Sequence, residues 1–458
     1  MKKKDFINIS IVSVLFLANV LIQSRAIGKL VYVFTDEGVY LYASKLISQG
    51  LMPYRDFYLN HLPFLMYLNA FILKIADFNL NIYHLIYVLL VFSSVFPIYF
   101  MVLKETKSIP ASIFAVILFS TFTEMVQWDG HFFAIRQASL PLLAFALFFI
   151  SVRRNNIVSA IFLSLFSFCI LSNTVISMFL LVALLADESL KSKSLKEGFK
   201  RLSSMIYIFL ILNGLYFTIT FLIPNAFEYL IAFQNSRPAT GLSIRFIWLR
   251  DGLKNNAPIL IFGLLGALFS LRKNLFFSLL TLGTFPIVML VGNSYFPHYI
   301  TIFGVCFAVT GGLLLSFIPS KYYTIPLFFI GVILIYFASF KTLKLNLIDA
   351  KSPDFFETIS KLEQVPEPLF CFEPIYALYS NKNLTFHKYV ADMRCFRVLG
   401  ENLSDDEYLS ILQRSKSVLI EPFLAQFLPS SAVHYMDQFF KPVYQKGNDK
   451  IYIRSILE

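Results

Sequence analysis

The sequence predicts an all-α polytopic membrane protein carrying a small C-terminal α/β domain outside the bilayer. Three observations lead there. Of the 458 residues, 57% are hydrophobic and only 15% are charged, whereas soluble domains average about 25% charged residues. The apolar residues come in runs long enough to cross a bilayer, and Lys and Arg collect in alternate short loops between them. From about Lys341 the composition becomes that of an ordinary soluble domain. The formal charge of +11 therefore belongs to cytoplasmic loops, as the positive-inside rule requires. No basic segment with interleaved aromatics stands apart from those loops, which argues against nucleic acid as a partner. The aromatic share of 17% is read as anchoring at the membrane interface.

The first run, Ile7 to Leu21 behind Met1-Lys2-Lys3-Lys4, resembles a signal sequence but lacks a small-residue cleavage site. It reads as an uncleaved first helix with a cytoplasmic N-terminus. Residues 24–79 then form a first outer loop, with the densest group of ionisable side chains in the first third of the chain. Val39, Ala43, Leu46 and Ile47 recur at helical spacing, Gly50 marks a stop, and Pro53 follows. This predicts an amphipathic helix lying on the membrane face, with Asp36 and Glu37 at its N-terminus, where the helix dipole favours carboxylates. Arg55, Asp56 and His61 form a second cluster before an apolar segment, Phe64 to Leu73.

Leu80 to Leu103 reads as a full span, Ile109 to Phe122 and Ala138 to Val152 as the next two, with Lys104, Lys107 and Arg153-Arg154 at their cytoplasmic ends. The apolar stretch Ile157 to Ala186 can be one long span or two short ones. Two spans turning at Ser172-Asn173, each shorter than the usual ~20 residues, place Lys191, Lys193, Lys196, Lys200 and Arg201 inside. Ser204 to Leu222 leads to a second outer loop, Pro224 to Asn256, with Arg237, Arg245 and Arg250. Ala257 to Leu271, Leu275 to Val291, Tyr299 to Phe317 and Ile325 to Phe340 complete about eleven spans. Residues 1–340 are thus expected to form the membrane domain and 341–458 the extracytoplasmic one. In the latter, helix-like pieces (Pro353 to Leu362, Asp405 to Gln413) alternate with strand-like ones (Pro368 to Phe372, Ser417 to Ile420, Val443 to Gln445, Ile451 to Ile453). Lys446-Gly447-Asn448 reads as a hairpin turn. Cys169 and Cys306 lie in apolar runs as small hydrophobes. For Cys371 and Cys395, a disulfide and two free thiols are both open.

The spans are almost free of charge, unlike a transporter with polar groups through its depth. His84, inside a span, reads as a packed histidine. The ionisable groups gather instead at one level on the outer side: Asp36, Glu37, Arg55, Asp56, His61, Asp129, His131, Arg136, Arg237, Arg245 and His298. That arrangement suits chemistry at the membrane surface on a substrate whose tail lies in lipid.

Asp36-Glu37 heading a juxtamembrane helix just after the first span, followed by Pro53-Tyr54-Arg55-Asp56-Phe57 and His61-Leu62-Pro63, resembles the GT-C superfamily of membrane glycosyltransferases. The branch is the prokaryotic one related to dolichyl-phosphate-mannose–protein mannosyltransferases and to the lipid A aminoarabinose transferase. The arginine-bearing second loop, Pro297-His298-Tyr299 and the C-terminal domain extend the resemblance over most of the chain. It implies a sugar donor on polyprenyl phosphate and a hydroxyl acceptor on a lipid, glycan or protein, with membrane lipids around them. It further implies Asp36 as general base or acceptor-orienting group, Glu37 as its support, and inversion at the anomeric carbon. Arg136, His61, Arg55 and His298 are the candidates for holding the departing phosphate. No cofactor follows outright, and a divalent metal stays open, because Asn60 stands where the lipid A enzyme has an acidic residue. Each residue also has a plainer reading: Asp36 a helix cap, Arg55 the partner of Asp56 in a turn, Arg136 a lipid-headgroup contact, His61 and His298 interface residues. A flippase of lipid-linked saccharides is the alternative from another class.

Overall fold

The computed structural model describes residues 3–24, 27, 36–121, 135–232, 235, 241–290, 303–318, 353–385, 403–425 and 427–455. Helix α1 is Lys3–Ser24, α2 is Asp36–Ser48, α3 is Phe64–Ile75, α4 is Leu80–Phe92, α5 is Val95–Thr106 and α6 is Ile109–Ser120. α7, Ile135–Phe148, runs into a π-turn at Phe149–Arg153, and α8 (Asn156–Cys169), α9 (Leu171–Ser192) and α10 (Leu195–Phe221) follow. After a π-turn at Glu228–Ala232 come α11 (Leu242–Asn255), α12 (Ala257–Ser270), α13 (Leu275–Leu290) and α14 (Phe303–Leu314).

Among the described residues, four helical stretches are long and apolar enough to cross a membrane: Phe6–Ser24, Leu80–Thr106, α9 and α10. Six shorter apolar helices join them, and of the expected eleven spans Ile325 to Phe340 lies outside the described residues. The expected span from Leu80 is broken in two at Ser93 and Ser94. Pro97 lacks the N–H that would bond the carbonyl of Ser93, which accounts for a break there. The stretch from Ile157 does divide, but at Ile170, whose backbone is extended, and not at Ser172-Asn173. Its second helix has 22 residues, longer than expected. Part of the stretch expected as a second outer loop is helical, in α11 and the π-turn before it.

Three turns share one device. The helical segments before them end at Lys107, Arg154 and Lys193, each left-handed with φ between 51° and 55°. A cation there also meets the negative end of the helix dipole. One residue of each of three basic loops read from the sequence is thus a helix C-cap. Helices α12 and α14 pack backbone to backbone, and Thr310 Oγ1 donates to the carbonyl of Gly263 at 2.9 Å.

The C-terminal domain holds α15 (Pro353–Leu362), β1 (Leu369–Phe370), α16 (Pro374–Tyr379), α17 (Asp405–Arg414), β2 (Ser417–Ile420), α18 (Pro422–Ala425), α19 (Ser430–Phe439), β3 (Phe440–Lys446) and β4 (Asp449–Arg454). The sheet order is β1-β2-β4-β3, with β1 parallel to β2 and the other pairs antiparallel. Gly447, at φ +56°, makes the expected hairpin turn. Ser404 and Glu407 close a reciprocal capping box on α17. Phe370, Tyr408, Leu412, Val418 and Met436 pack between the sheet and its helices. Cys371 is buried, and Cys395 lies outside the described residues.

The membrane body and this domain meet at α2. The apolar side of α2 packs on α3, and its other side is covered by α16. Tyr42 Oη accepts from Leu384 N at 2.8 Å, and Lys45 Nζ donates to the Lys382 carbonyl at 3.0 Å. Helix α2 is therefore enclosed between two layers, where the sequence had it lying open on a membrane face.

Candidate active site

The site is built on the first turn of α2. Its end is fixed by a Schellman motif: Leu51 N donates to Leu46 O, Gly50 N donates to Ile47 O, and Gly50 takes φ +93°. The helix starts at Asp36, and the positive end of its dipole favours the two carboxylates. The side chain of Asp36 lies outside the described set.

Glu37 is buried, 6% exposed, and its Oε1 lies 2.6 Å from Nε2 of His84, itself 3% exposed. His84 sits in the second turn of α4, beside Tyr83 at 5.5 Å between rings. One turn on, Tyr87 donates to Asn69 of α3. The start of α2 is thereby stitched to α4, and α4 to α3. From the C-terminal domain, Tyr379 faces the same point: burial chiefly, and then the Glu37 charge, push its hydroxyl well above the ordinary tyrosine range. Sequence reasoning passed over His84. The available signal was that an imidazole in an apolar span needs a partner.

The segment after α2 folds tightly. Tyr54 is left-handed at φ 67°, its N–H donates to Phe57 O at 2.8 Å, and its hydroxyl donates to His61 O at 2.6 Å. A bulky residue with that φ is uncommon and is held only where its surroundings determine it. Here Asp56 Oδ2 accepts from Met52 N at 2.7 Å, and Arg55 grips Asp56 through Nε and Nη2 at 2.8 and 2.7 Å. The Arg55 hydrogen bonds hold the Asp56 carboxyl below its ordinary range. His61 Nε2 meets Tyr40 Oη at 2.9 Å, and Tyr40 is one turn beyond Glu37 on α2. His84 and His61 are thus anchored to neighbouring turns of one helix. The second loop leans on the same segment, through Asn225 Nδ2 to the Tyr54 carbonyl at 3.3 Å and Tyr58 against Tyr229 at 4.5 Å.

Of the other expected residues, Arg136 is the second residue of α7, with its side chain outside the described set. Asp129, His131, Arg237 and His298 lie outside the described residues. Arg245 is on α11 and is buried. Among the described residues, no three His, Cys, Asp or Glu side chains converge as a metal site would require. Asn60 is buried beside His61.

No family model matches the sequence, and no curated protein matches it. By fold the chain is a helical membrane body with its C-terminal domain seated on the first loop. It superposes on ArnT, the lipid A aminoarabinose transferase of Cupriavidus metallidurans, in the apo state with a TM-score of 0.73 at 11% identity, over 96% of this chain and 97% of that one. Against ArnT bound to undecaprenyl phosphate the TM-score is 0.71 at 12% identity, over 97% and 98%. The archaeal oligosaccharyltransferase AglB of Archaeoglobus fulgidus, in complex with an inhibitory peptide and a dolichol-phosphate, gives 0.51 at 12% identity, over 99% of this chain and 75% of that one. At such identities the likeness is one of fold.

Proposed function

We propose that the protein is an integral-membrane glycosyltransferase that moves a sugar from a polyprenyl-phosphate donor to an acceptor hydroxyl. The observation that carries this reading is the acidic first turn of α2, enclosed between membrane body and C-terminal domain. The fold around it resembles, over 97% of the chain, a protein solved with undecaprenyl phosphate. In this reading the acceptor oxygen attacks the anomeric carbon, the bond from that carbon to the phosphate oxygen breaks, and the acceptor proton passes to Asp36. An ordinary aspartate has a pKa near ~4, so orientation of the acceptor supplies much of its effect. Glu37 keeps the first turn in place. The lipid phosphate leaves as an anion and needs donors where its charge develops. His61, Arg136, Arg55 and His298 are assigned to it. Arg55 has five N–H donors, and the two atoms facing Asp56 leave others for a phosphate.

The N-terminus is assigned to the cytoplasm, residues 1–340 to the transferase domain and 341–458 to an extracytoplasmic domain that forms one wall of the acceptor path. The test is a transfer assay in purified membranes with a radiolabelled polyprenyl-phosphate sugar pool, comparing wild type with Asp36→Asn. Label passing from lipid into a new product with wild type only is the expected result. Equal transfer by both would remove Asp36 from the chemistry. Movement of intact donor across the bilayer by both would replace the transferase with a flippase.

A further inference from the structure

We propose that His84 is a positioning residue for this transfer, acting through Glu37. The inference rests on the transferase reading and adds to it a residue on a membrane helix, 47 positions from the carboxylate it holds. Both partners are almost wholly buried and 2.6 Å apart, within the range of a charge-assisted hydrogen bond. A carboxylate only accepts, so Nε2 of His84 is the donor to an ionised Glu37. The imidazole is held in turn by its place in the α4 aromatic row, with Tyr83 on its edge and Tyr83 4.8 Å from Tyr87.

A simple interhelix clamp does not need ionisable groups. Taking a carboxylate and an imidazole out of water is expensive, and apolar packing of the same shape holds helices at least as well. An apolar contact, however, does not fix rotation of a helix about its own axis as a single directed hydrogen bond does. Residue 37 is the second residue of α2. Its hydrogen bond therefore sets the azimuth of the first turn, the turn that begins with Asp36. It also commits one of two adjacent carboxylates to the protein interior, leaving the acceptor side with one. Tyr40 with His61 and Tyr42 with Leu384 act further along α2.

The test compares His84→Leu with His84→Gln, whose side-chain amide can place an N–H near the lost Nε2. Turnover is measured on the labelled undecaprenyl-phosphate sugar fraction that wild type consumes, and lipid binding is measured with undecaprenyl phosphate itself. His84→Leu is expected to lose kcat by about a hundredfold, the cost of a small misplacement of reacting groups, with undecaprenyl phosphate affinity unchanged. His84→Gln is expected to recover most of that loss. If His84→Leu does not accumulate as folded protein, His84→Asn takes its place: its amide is too short to reach Glu37, and it is expected to lose kcat while Gln keeps it. Wild-type turnover in the Leu or Asn variant would overturn the inference and leave the transferase standing. A kcat loss that Gln does not recover would also overturn it, because the hydrogen bond would then not be the means. Absence of transfer by the wild type would overturn both readings.

Discussion

Gly38 and Ile375, far apart in the chain, are in direct backbone contact. A Cβ on residue 38 would lie 2.8 Å from Ile375 Cβ and 3.0 Å from its backbone N. This close approach is what seats α16 on α2. Gly38→Ala therefore has to push the two helices apart, and overpacking of this kind costs about 1–3 kcal/mol. Alanine is the better helix former by about 1 kcal/mol, so any net loss shows that packing outweighs propensity. The expected result is a lower melting temperature in detergent and easier proteolytic release of the C-terminal domain. Melting at the wild-type temperature or above would mean that α16 does not sit on α2 as described.

The sequence shows why that contact could not be read in advance. Val39, Ala43, Leu46 and Ile47 identify one face of α2 by their spacing. The face that meets α16 carries Gly38, Tyr42 and Lys45, small or polar residues that read as solvent-exposed, yet Lys45 is only 6% exposed. Its partner segment lies more than 300 residues away, and periodicity holds no information at that distance. Local signals did better. The start of α2 at Asp36, its stop at Gly50, the bounds of α15 and β2 and the terminal hairpin were all legible, because caps and turns act over a few residues. The break at Ile170 had no Gly or Pro to announce it. Pro97 did announce the break before α5, but the surrounding hydrophobicity hid it. His84 was legible as a residue and not as a partner, since its acid lies in another element.

A second prediction concerns Glu421, just after β2. Its Oε1 accepts from the N–H groups of Phe372 and Glu373, and its Oε2 has no hydrogen-bond partner among the described residues. Burial pushes this carboxyl from its ordinary 4.5 up to about 8. Between those values the folded domain keeps a proton that the unfolded chain has released. The contribution to stability is thus fully present below about pH 4.5 and is lost as pH rises to about 8. Each pH unit in that window costs about 1.4 kcal/mol. Glu421→Gln keeps the acceptor and cannot ionise. Melting curves from pH 5 to 8.5 are expected to show wild type falling steadily against the variant; parallel curves would mean that Glu421 is ionised in the fold.

In the proposed reading Asp56 holds the turn and Arg55 meets the departing phosphate, and the two roles can be told apart. Asp56 serves both Met52 N and Arg55, whereas Arg55 is half exposed and serves only Asp56 among the described residues. Exposed ion pairs contribute little. Arg55→Ala is therefore expected to leave the melting temperature unchanged and to weaken binding of undecaprenyl phosphate severalfold. Asp56→Ala is expected to lower the melting temperature, because the turn that holds Tyr54 at positive φ loses its acceptor. Lowered melting with unchanged lipid affinity in Arg55→Ala would make Arg55 a structural residue and remove it from the phosphate site.

The last prediction sets two glycines of the membrane body against each other. A Cβ on Gly266 of α12 would fall 1.9 Å from the Thr310 carbonyl oxygen of α14, while one on Gly214 of α10 would meet nothing within 4 Å. Both replacements by alanine gain helix propensity, by about 1 kcal/mol, so that gain cancels in the comparison. At Gly214 it stands alone, and the variant is expected to melt at or above the wild-type temperature. At Gly266 the carbonyl is backbone and cannot swing aside as a side chain would, so α12 and α14 must separate along their length. Apolar surface lost between them is replaced by lipid contact at little cost, so what is forfeited is close packing and the bond from Thr310 to Gly263. Gly266→Ala is expected to melt well below Gly214→Ala, and Gly266→Leu lower still. Equal melting of the two alanine variants would mean that α12 and α14 are not in backbone contact.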